Sequence, residues 1–325
     1  MTYRSIRIEQ GAPGYAAVNP NTNTIYISYP SSNFISVLNL VKGTIENKIQ
    51  LSCPGNISVN DVTNKVYVCS AYGICEIDSV NNQYEMINIG LPHSDGSVDV
   101  NPLTNFIYTT CFGHDVLTVI DASSGAIADK IPVGKNPKGV AVDSTTNRIY
   151  VANNDSQSIS VIDGDKSHRL PDIHIWYKHG KWKDGSTLNP RYIIVNESSS
   201  LLYVRVFIAQ VSAYGGYEGQ WLFVIDVDTG KEIKNKKIPS NGQVGFAYNH
   251  SSNSIYMSNR SKKAISKFDA YAKQVLHTTT LGETGFWKRM VDRFQFFAEV
   301  IAVNPSTNKV YVSDSKNNLL YEIDG

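Results

Sequence analysis

NRIYVANNDSQSISVIDGDK, residues 147–166, holds two short apolar runs, RIYVAN and SISVIDG, on either side of a polar turn. Runs rich in Ile, Val and Tyr and bounded by Asn, Asp and Ser read as β-strands joined in a hairpin. The hairpin is one copy of a recurring unit. Its pattern, an apolar stretch, an Asn or Asp, a polar turn and an apolar-Tyr-apolar triplet, returns as AAVNPNTNTIYI, ISVNDVTNKVYV, VDVNPLTNFIYT, VAVDSTTNRIYV, IIVNESSSLLYV, GFAYNHSSNSIYM and IAVNPSTNKVYV. The triplet tyrosines are Tyr26, Tyr67, Tyr108, Tyr150, Tyr203, Tyr256 and Tyr311, spaced by 41, 41, 42, 53, 53 and 55 residues. A period near 40 built of short strands and turn residues is that of propeller blades. The chain therefore reads as all-β, a seven-bladed β-propeller of four-stranded antiparallel blades occupying 1–325 as a single domain.

Each unit divides into strands A to D. Strand A is the VAV-type segment, strand B carries the tyrosine, and strand C ends on Asn39, Asp78, Asp121, Asp163, Asp226, Asp269 or Asp324. Asn and Asp suit such turns because their side chains bond nearby backbone and tolerate left-handed conformations. Seven equivalent Asn or Asp residues and seven equivalent tyrosines mark scaffold rather than chemistry. The last unit stops at Asp324-Gly325, before a strand D, whereas SIRIEQ precedes the first strand A with the spacing of one. The N-terminal strand is thus expected to complete the seventh blade, removing an open edge.

The repeat, IYVANNDSQSISVIDGD above all, resembles that of the YVTN β-propeller family of surface-layer and exported proteins, over essentially the whole chain. The resemblance implies a seven-bladed fold and an exported, cell-surface or periplasmic location. Related propellers include lactonases and streptogramin-type lyases, but no residues here match their catalytic motifs. MTYRSIRIEQ lacks the apolar run of a signal peptide, so a cytoplasmic protein is the other expectation. No run approaches the roughly 18 apolar residues of a membrane span. A net charge of +1 gives no global attraction for duplex nucleic acid or acidic membrane.

Function is expected where copies differ. From strand C Asp to the next strand A Asn, the usual 21 to 23 residues become 33 between Asp163 and Asn196 and 35 between Asp269 and Asn304. Between the strand B Tyr and strand C Asp the usual 13 becomes 23, from Tyr203 to Asp226. In an A-B-C-D blade the B–C and D–A connections leave at one end, so all three insertions are expected on one rim, above blades 4 to 6. In the third, Phe286, Met290, Val291, Phe294 and Phe297 follow Thr284 at helical spacing, predicting a short amphipathic helix over 284–297.

These segments mix cations with aromatic rings. Lys178, His179, Trp182, Arg191, Arg205, Tyr217, Trp221, Arg260, Trp287 and Glu299 form the candidate ligand-binding set. Such a surface holds an anionic glycan, a nucleotide or a single strand by charge and ring stacking. The leading expectation is a non-catalytic propeller that binds such a ligand, or a protein partner, at the decorated mouth. The alternative is a metal-assisted lyase or lactonase, with His93, Asp95, His114 and Asp115 holding a divalent metal or supplying a general base. Four cysteines, Cys53, Cys69, Cys75 and Cys111, lie in blades 2 and 3. They read either as disulfides, with Cys69 and Cys75 bridging one hairpin, or as buried thiols, and their spacing fits no zinc site.

Overall fold

A computed structural model of the chain describes residues 3–90, 96–175, 186–209, 217–238, 245–259, 264–281 and 300–325, with the backbone alone at 217, 218 and 259. The 284–297 helix expected from the sequence lies outside these residues. Strand β1 (Arg4–Arg7) comes first. Blade 1 follows with β2 (Tyr15–Asn19), β3 (Thr24–Tyr29), β4 (Phe34–Asn39) and β5 (Thr44–Gln50). Blade 2 has β6 (Ile57–Asn60), β7 (Lys65–Ser70), β8 (Gly73–Asp78) and β9 (Tyr84–Ile87), and blade 3 has β10 (Val98–Asn101), β11 (Phe106–Cys111), β12 (His114–Asp121) and β13 (Ala126–Pro132). Blade 4 comprises β14 (Pro137–Asp143), β15 (Arg148–Asn153), β16 (Ser158–Asp163) and β17 (His168–His174). Blade 5 comprises β18 (Thr187–Asn196), β19 (Leu201–Ala209), β20 (Tyr217–Asp226) and β21 (Glu232–Ile238). Blade 6 has β22 (Phe246–Asn249), β23 (Ser254–Asn259), β24 (Ala264–Asp269) and β25 (Val275–Thr280), and the last strands are β26 (Ile301–Asn304), β27 (Lys309–Asp314) and β28 (Leu319–Asp324).

Seven four-stranded sheets result, and the fold is a seven-bladed β-propeller. The seventh sheet runs β1-β28-β27-β26, with Arg4 opposite Glu322 and Ile6 opposite Leu320. The N-terminal strand therefore completes the last blade, as the missing strand D required. Two compact units divide the chain: Met1–Ser70, Ile77–Tyr84 and Pro239–Gly325 form one, Ala71–Glu76 and Glu85–Ile238 the other. Blades 6, 7 and 1 fall in the first unit and blades 3, 4 and 5 in the second. No helix among the described residues is long and apolar enough to cross a membrane.

Burial explains the alternation in the repeat. Middle strands such as β3 (TIYISY) are buried at every position, because both faces of a blade pack on neighbours, whereas the outer β5 alternates. Between blades 4 and 5 one apolar cluster joins Tyr150, Ala152 and Ile159 to Leu202, Val204, Val206 and Phe223. All four cysteines are free thiols, Cys69, Cys75 and Cys111 being buried. Burial pushes the Cys75 thiol up to about 12, with the charge of Glu76 adding to the shift. The bridge between Cys69 and Cys75 is not formed, and both act as small apolar core residues.

Every turn between strands A and B passes through a left-handed residue: Asn23, Asn64, Asn105, Asn147, Ser200, Asn253 and Asn308, with φ between 43° and 57°. Asn tolerates that region better than other residues with a Cβ. These asparagines have a second role that local turn chemistry does not reveal. The buried Asn closing one strand A donates from Nδ2 to the turn Asn of the next blade. The pairs are Asn101 to Asn147 at 2.8 Å, Asn249 to Asn308 at 2.8 Å, Asn19 to Asn64 at 3.2 Å and Asn304 to Asn23 at 3.4 Å. From blade 4 to blade 5 the positions are Asp143 and Ser200. There Glu197 takes over, its Oε1 accepting from the Ser144 amide at 2.8 Å and hydroxyl at 2.9 Å.

The acids ending strand C are turn builders. Asp121 Oδ1 accepts the Ser123 amide at 2.8 Å, and Asp226 Oδ1 accepts the Thr229 amide at 2.8 Å. Backbone donors hold the carboxyls of Asp78, Asp121 and Asp226 below their ordinary range, from Val80, Ser123 and Thr229 respectively. For Asp163 the leading cause is the Lys166 ammonium. A carboxyl lowered on folding stabilises the fold fully above its unfolded value, about 3.9, and loses that contribution as pH falls through the lowered value. Calorimetry should accordingly show the melting temperature falling on acidification from about pH 5 to about pH 3. A midpoint flat across that interval would contradict the assignment.

Candidate functional site

Blade 5 departs most from the repeat. Its strands β18, β19 and β20 span 10, 9 and 10 residues, against six for β15 and β16 of blade 4. Much of the extra sequence therefore extends the ladder instead of forming a free loop. Thr187, which opens β18 just after the 176–185 segment, pairs with Ala209, which ends β19 just before the 210–216 segment. Both insertions thus leave the same end of this sheet. The third insertion lies outside the described residues.

Pro190 has no N–H for the ladder, and the β18–β19 register shifts between Pro190 and Tyr192, leaving Arg191 as the bulged residue. The bulge re-aims its side chain. Arg191 Nε donates to Asn154 Oδ1 of blade 4 at 3.0 Å, and its guanidinium carbon lies 4.4 Å from the Phe207 ring centre. Arg205, opposite Tyr192 in the ladder, stacks over that ring at 3.6 Å and lies 5.3 Å from Phe207. Arg205 is buried, at 5% exposure. Tyr192 and Phe207 are themselves 6.4 Å apart. Two guanidiniums thus share one phenyl ring, held in place by cation–π contacts worth about 0.5–2 kcal/mol each.

A polar chain runs from this cluster toward blade 3. Asn154 Nδ2 donates to Asp155 Oδ1, and Asn136 Nδ2 donates to Asp155 Oδ2. Asn136, left-handed at φ 49°, accepts the Gly113 amide at 3.1 Å and gives its own amide to Asp115 Oδ1 at 2.9 Å. Asp115, expected as a metal ligand, is therefore joined through Asn136, Asp155 and Asn154 to Arg191, expected as an anion ligand. Asn136, Asp155 and Asn154 were not legible as site residues in the sequence, because they sit in ordinary turn sequences, SQ- and KNP-flanked, with no chemical signature.

The remaining candidates divide. Trp221 pairs with Val206, one residue out of phase with Arg205. Its ring therefore lies across the sheet from Arg205, packed on the apolar cluster between blades 4 and 5. Tyr217 begins β20, with its side chain outside the described residues. His114 is half-buried at the start of β12, opposite Cys111. Lys178, His179, Trp182, Arg260, Trp287, Glu299, His93 and Asp95 lie outside the described residues. Among the described residues, no group of three or more His, Cys, Asp or Glu stands together as a metal site.

No protein-family model matches the chain, and no curated protein does. Among solved structures the chain is similar to Kuenenia stuttgartiensis hydrazine synthase, with 14% identity and a TM-score of 0.74 over 98% of this chain and 97% of that one. At that identity the likeness shows the fold, a propeller of this size, and nothing of its chemistry.

Proposed function

We propose that the chain is a YVTN-like, non-catalytic binding propeller, exported or surface-displayed, that takes an anionic ligand at the elongated end of blade 5. The observation that carries this reading is the pair of guanidiniums, Arg191 and Arg205, around the Phe207 ring. Arginine presents a planar fork of donors matched to carboxylate, sulfate or phosphate oxygens. The adjoining rings of Tyr192 and Phe207 supply faces for stacking. An anionic glycan, a nucleotide or a single strand fits that chemistry. Of the four residues of the lyase or lactonase reading, His114 and Asp115 are among the described residues, and Asp115 Oδ1 accepts the Asn136 amide.

Calorimetric titration against sulfated glycans, nucleotides and single-stranded oligonucleotides tests the proposal. At least one ligand should bind, with affinity falling as salt rises, and Arg191→Ala should weaken it about tenfold or more. Circular dichroism would confirm that the variant folds. A panel without binding, or an Arg191→Ala variant that binds unchanged, would reject the site.

A further inference from the structure

Arg191 is one of two cations set out by the same device. NPKG at 136–139 and NPRY at 189–192 lie at the start of the inner strands of blades 4 and 5, and in each ladder the residue after proline bulges, Lys138 in one and Arg191 in the other. Both precede their blade's repeat tyrosine, Tyr150 or Tyr203, by 12 residues. Both lean on the residue four past the tyrosine of the preceding blade, Phe112 for Lys138 and Asn154 for Arg191. Lys138 meets a ring there, at 4.5 Å. The scaffold thus accepts an aromatic residue where blade 4 carries a buried amide, so folding alone does not require Asn154.

The donors and acceptors around Asn154 allow one arrangement. A backbone amide can only donate, so Asn136 turns Oδ1 to Gly113 and Nδ2 to Asp155. A carboxylate can only accept, so Asn154 also turns Nδ2 to Asp155 and gives Oδ1 to Arg191 Nε. Among the described residues that is the one hydrogen bond of the Arg191 side chain, and Phe207 lies against its guanidinium. The edge bearing Nη1 and Nη2 is left for a ligand. We infer that Asp155, acting through Asn154, is a positioning residue that holds Arg191 for end-on, two-point capture of a single oxyanion group, a terminal carboxylate, sulfate or phosphate. The inference rests on the anionic-ligand reading above and narrows it to ligands that end in such a group. Two parallel N–H···O bonds to one group are the geometry for which a fixed guanidinium is suited.

The sign of one substitution separates positioning from simple charge. Asp155→Asn removes a negative charge near the site, which by Coulomb attraction alone would tighten anion binding. It also replaces an acceptor by a donor, so the chain of amides from Gly113 to Arg191 can no longer be satisfied throughout. Arginine-selective isotope labelling of the full chain lets NMR read Arg191 Nε directly, its resonance being identified by loss in Arg191→Ala. The probes are inorganic sulfate, inorganic phosphate and, at matched ionic strength, chloride. In the wild type the resonance should shift saturably with sulfate or phosphate and not with chloride. Asp155→Asn should weaken that response about tenfold and loosen the Nε–H bond before any anion is added. Asn154→Ala should do the same, with melting curves confirming that both variants fold. A wild type responding to neither oxyanion would overturn the anionic reading together with this inference. A responding wild type whose Asp155→Asn variant binds equally or more tightly, or whose Arg191 answers chloride as it does sulfate, would overturn this inference and leave the reading standing.

Discussion

Tyr150→Ala should lower the folding free energy by about 3–5 kcal/mol, the cost of emptying a large aromatic site in a packed core. Tyr150 is fully buried, at 0% exposure, in the cluster between blades 4 and 5. Burial, and next the charge of Asp143, push its hydroxyl up to about 12, so it stays neutral throughout the physiological range. Among the described residues the hydroxyl has no partner at ordinary hydrogen-bond distance and angle, although the nearby Arg148 guanidinium opposes the rise of its pKa. Removing an unsatisfied buried hydroxyl is nearly neutral, so Tyr150→Phe should change stability by less than about 1 kcal/mol. Tyr203 differs, because its hydroxyl accepts from Asn196 Nδ2 at 2.9 Å. Tyr203→Phe should cost about 1–2 kcal/mol. Urea denaturation of the three variants measures all of this, and equal costs for both Phe substitutions would refute the distinction.

Gly139→Ala should be strongly destabilising. A Cβ at Gly139 would lie 2.6 Å from the Arg191 carbonyl oxygen and 3.2 Å from Ile193 Cγ2. The first obstacle is backbone of the neighbouring inner strand, which cannot rotate aside. Strands β14 and β18 must separate, at a cost on the order of 1–3 kcal/mol. Arg191 is also the residue that reaches Asn154 and Phe207. The same substitution should therefore weaken anionic-ligand binding about tenfold. Unaltered stability would mean that the inner strands yield more easily than their spacing implies.

The scaffold was legible because its determinants are local and repeated. Each strand C ends at the anticipated Asn or Asp, from Asn39 to Asp324, since a carboxylate or carboxamide that caps a turn works within three residues of itself. The asparagine pairs between blades were not legible, because Asn101 and Asn147 meet across 46 positions. Nor was the phase of Trp221 against Arg205: which residues share a face depends on the register of β19 with β20. The basic, aromatic character of the 163–226 region did point to Arg191 and Arg205. It could not reveal that Pro190 breaks the ladder beside them and turns Arg191 toward blade 4.

The pairing of β1 with β28 sets a constraint on biosynthesis. Arg4 and its opposite Glu322 are joined by nearly the whole polypeptide. During translation β1 is made before the other strands of the propeller and its mate β28 after them, so Ile6, buried in the finished fold, must wait through the making of the intervening blades. Partners so distant along the chain slow folding, since their loop must close before the contact stabilises anything. The seventh blade is then completed only when the propeller's first-made strand docks on its last-made one.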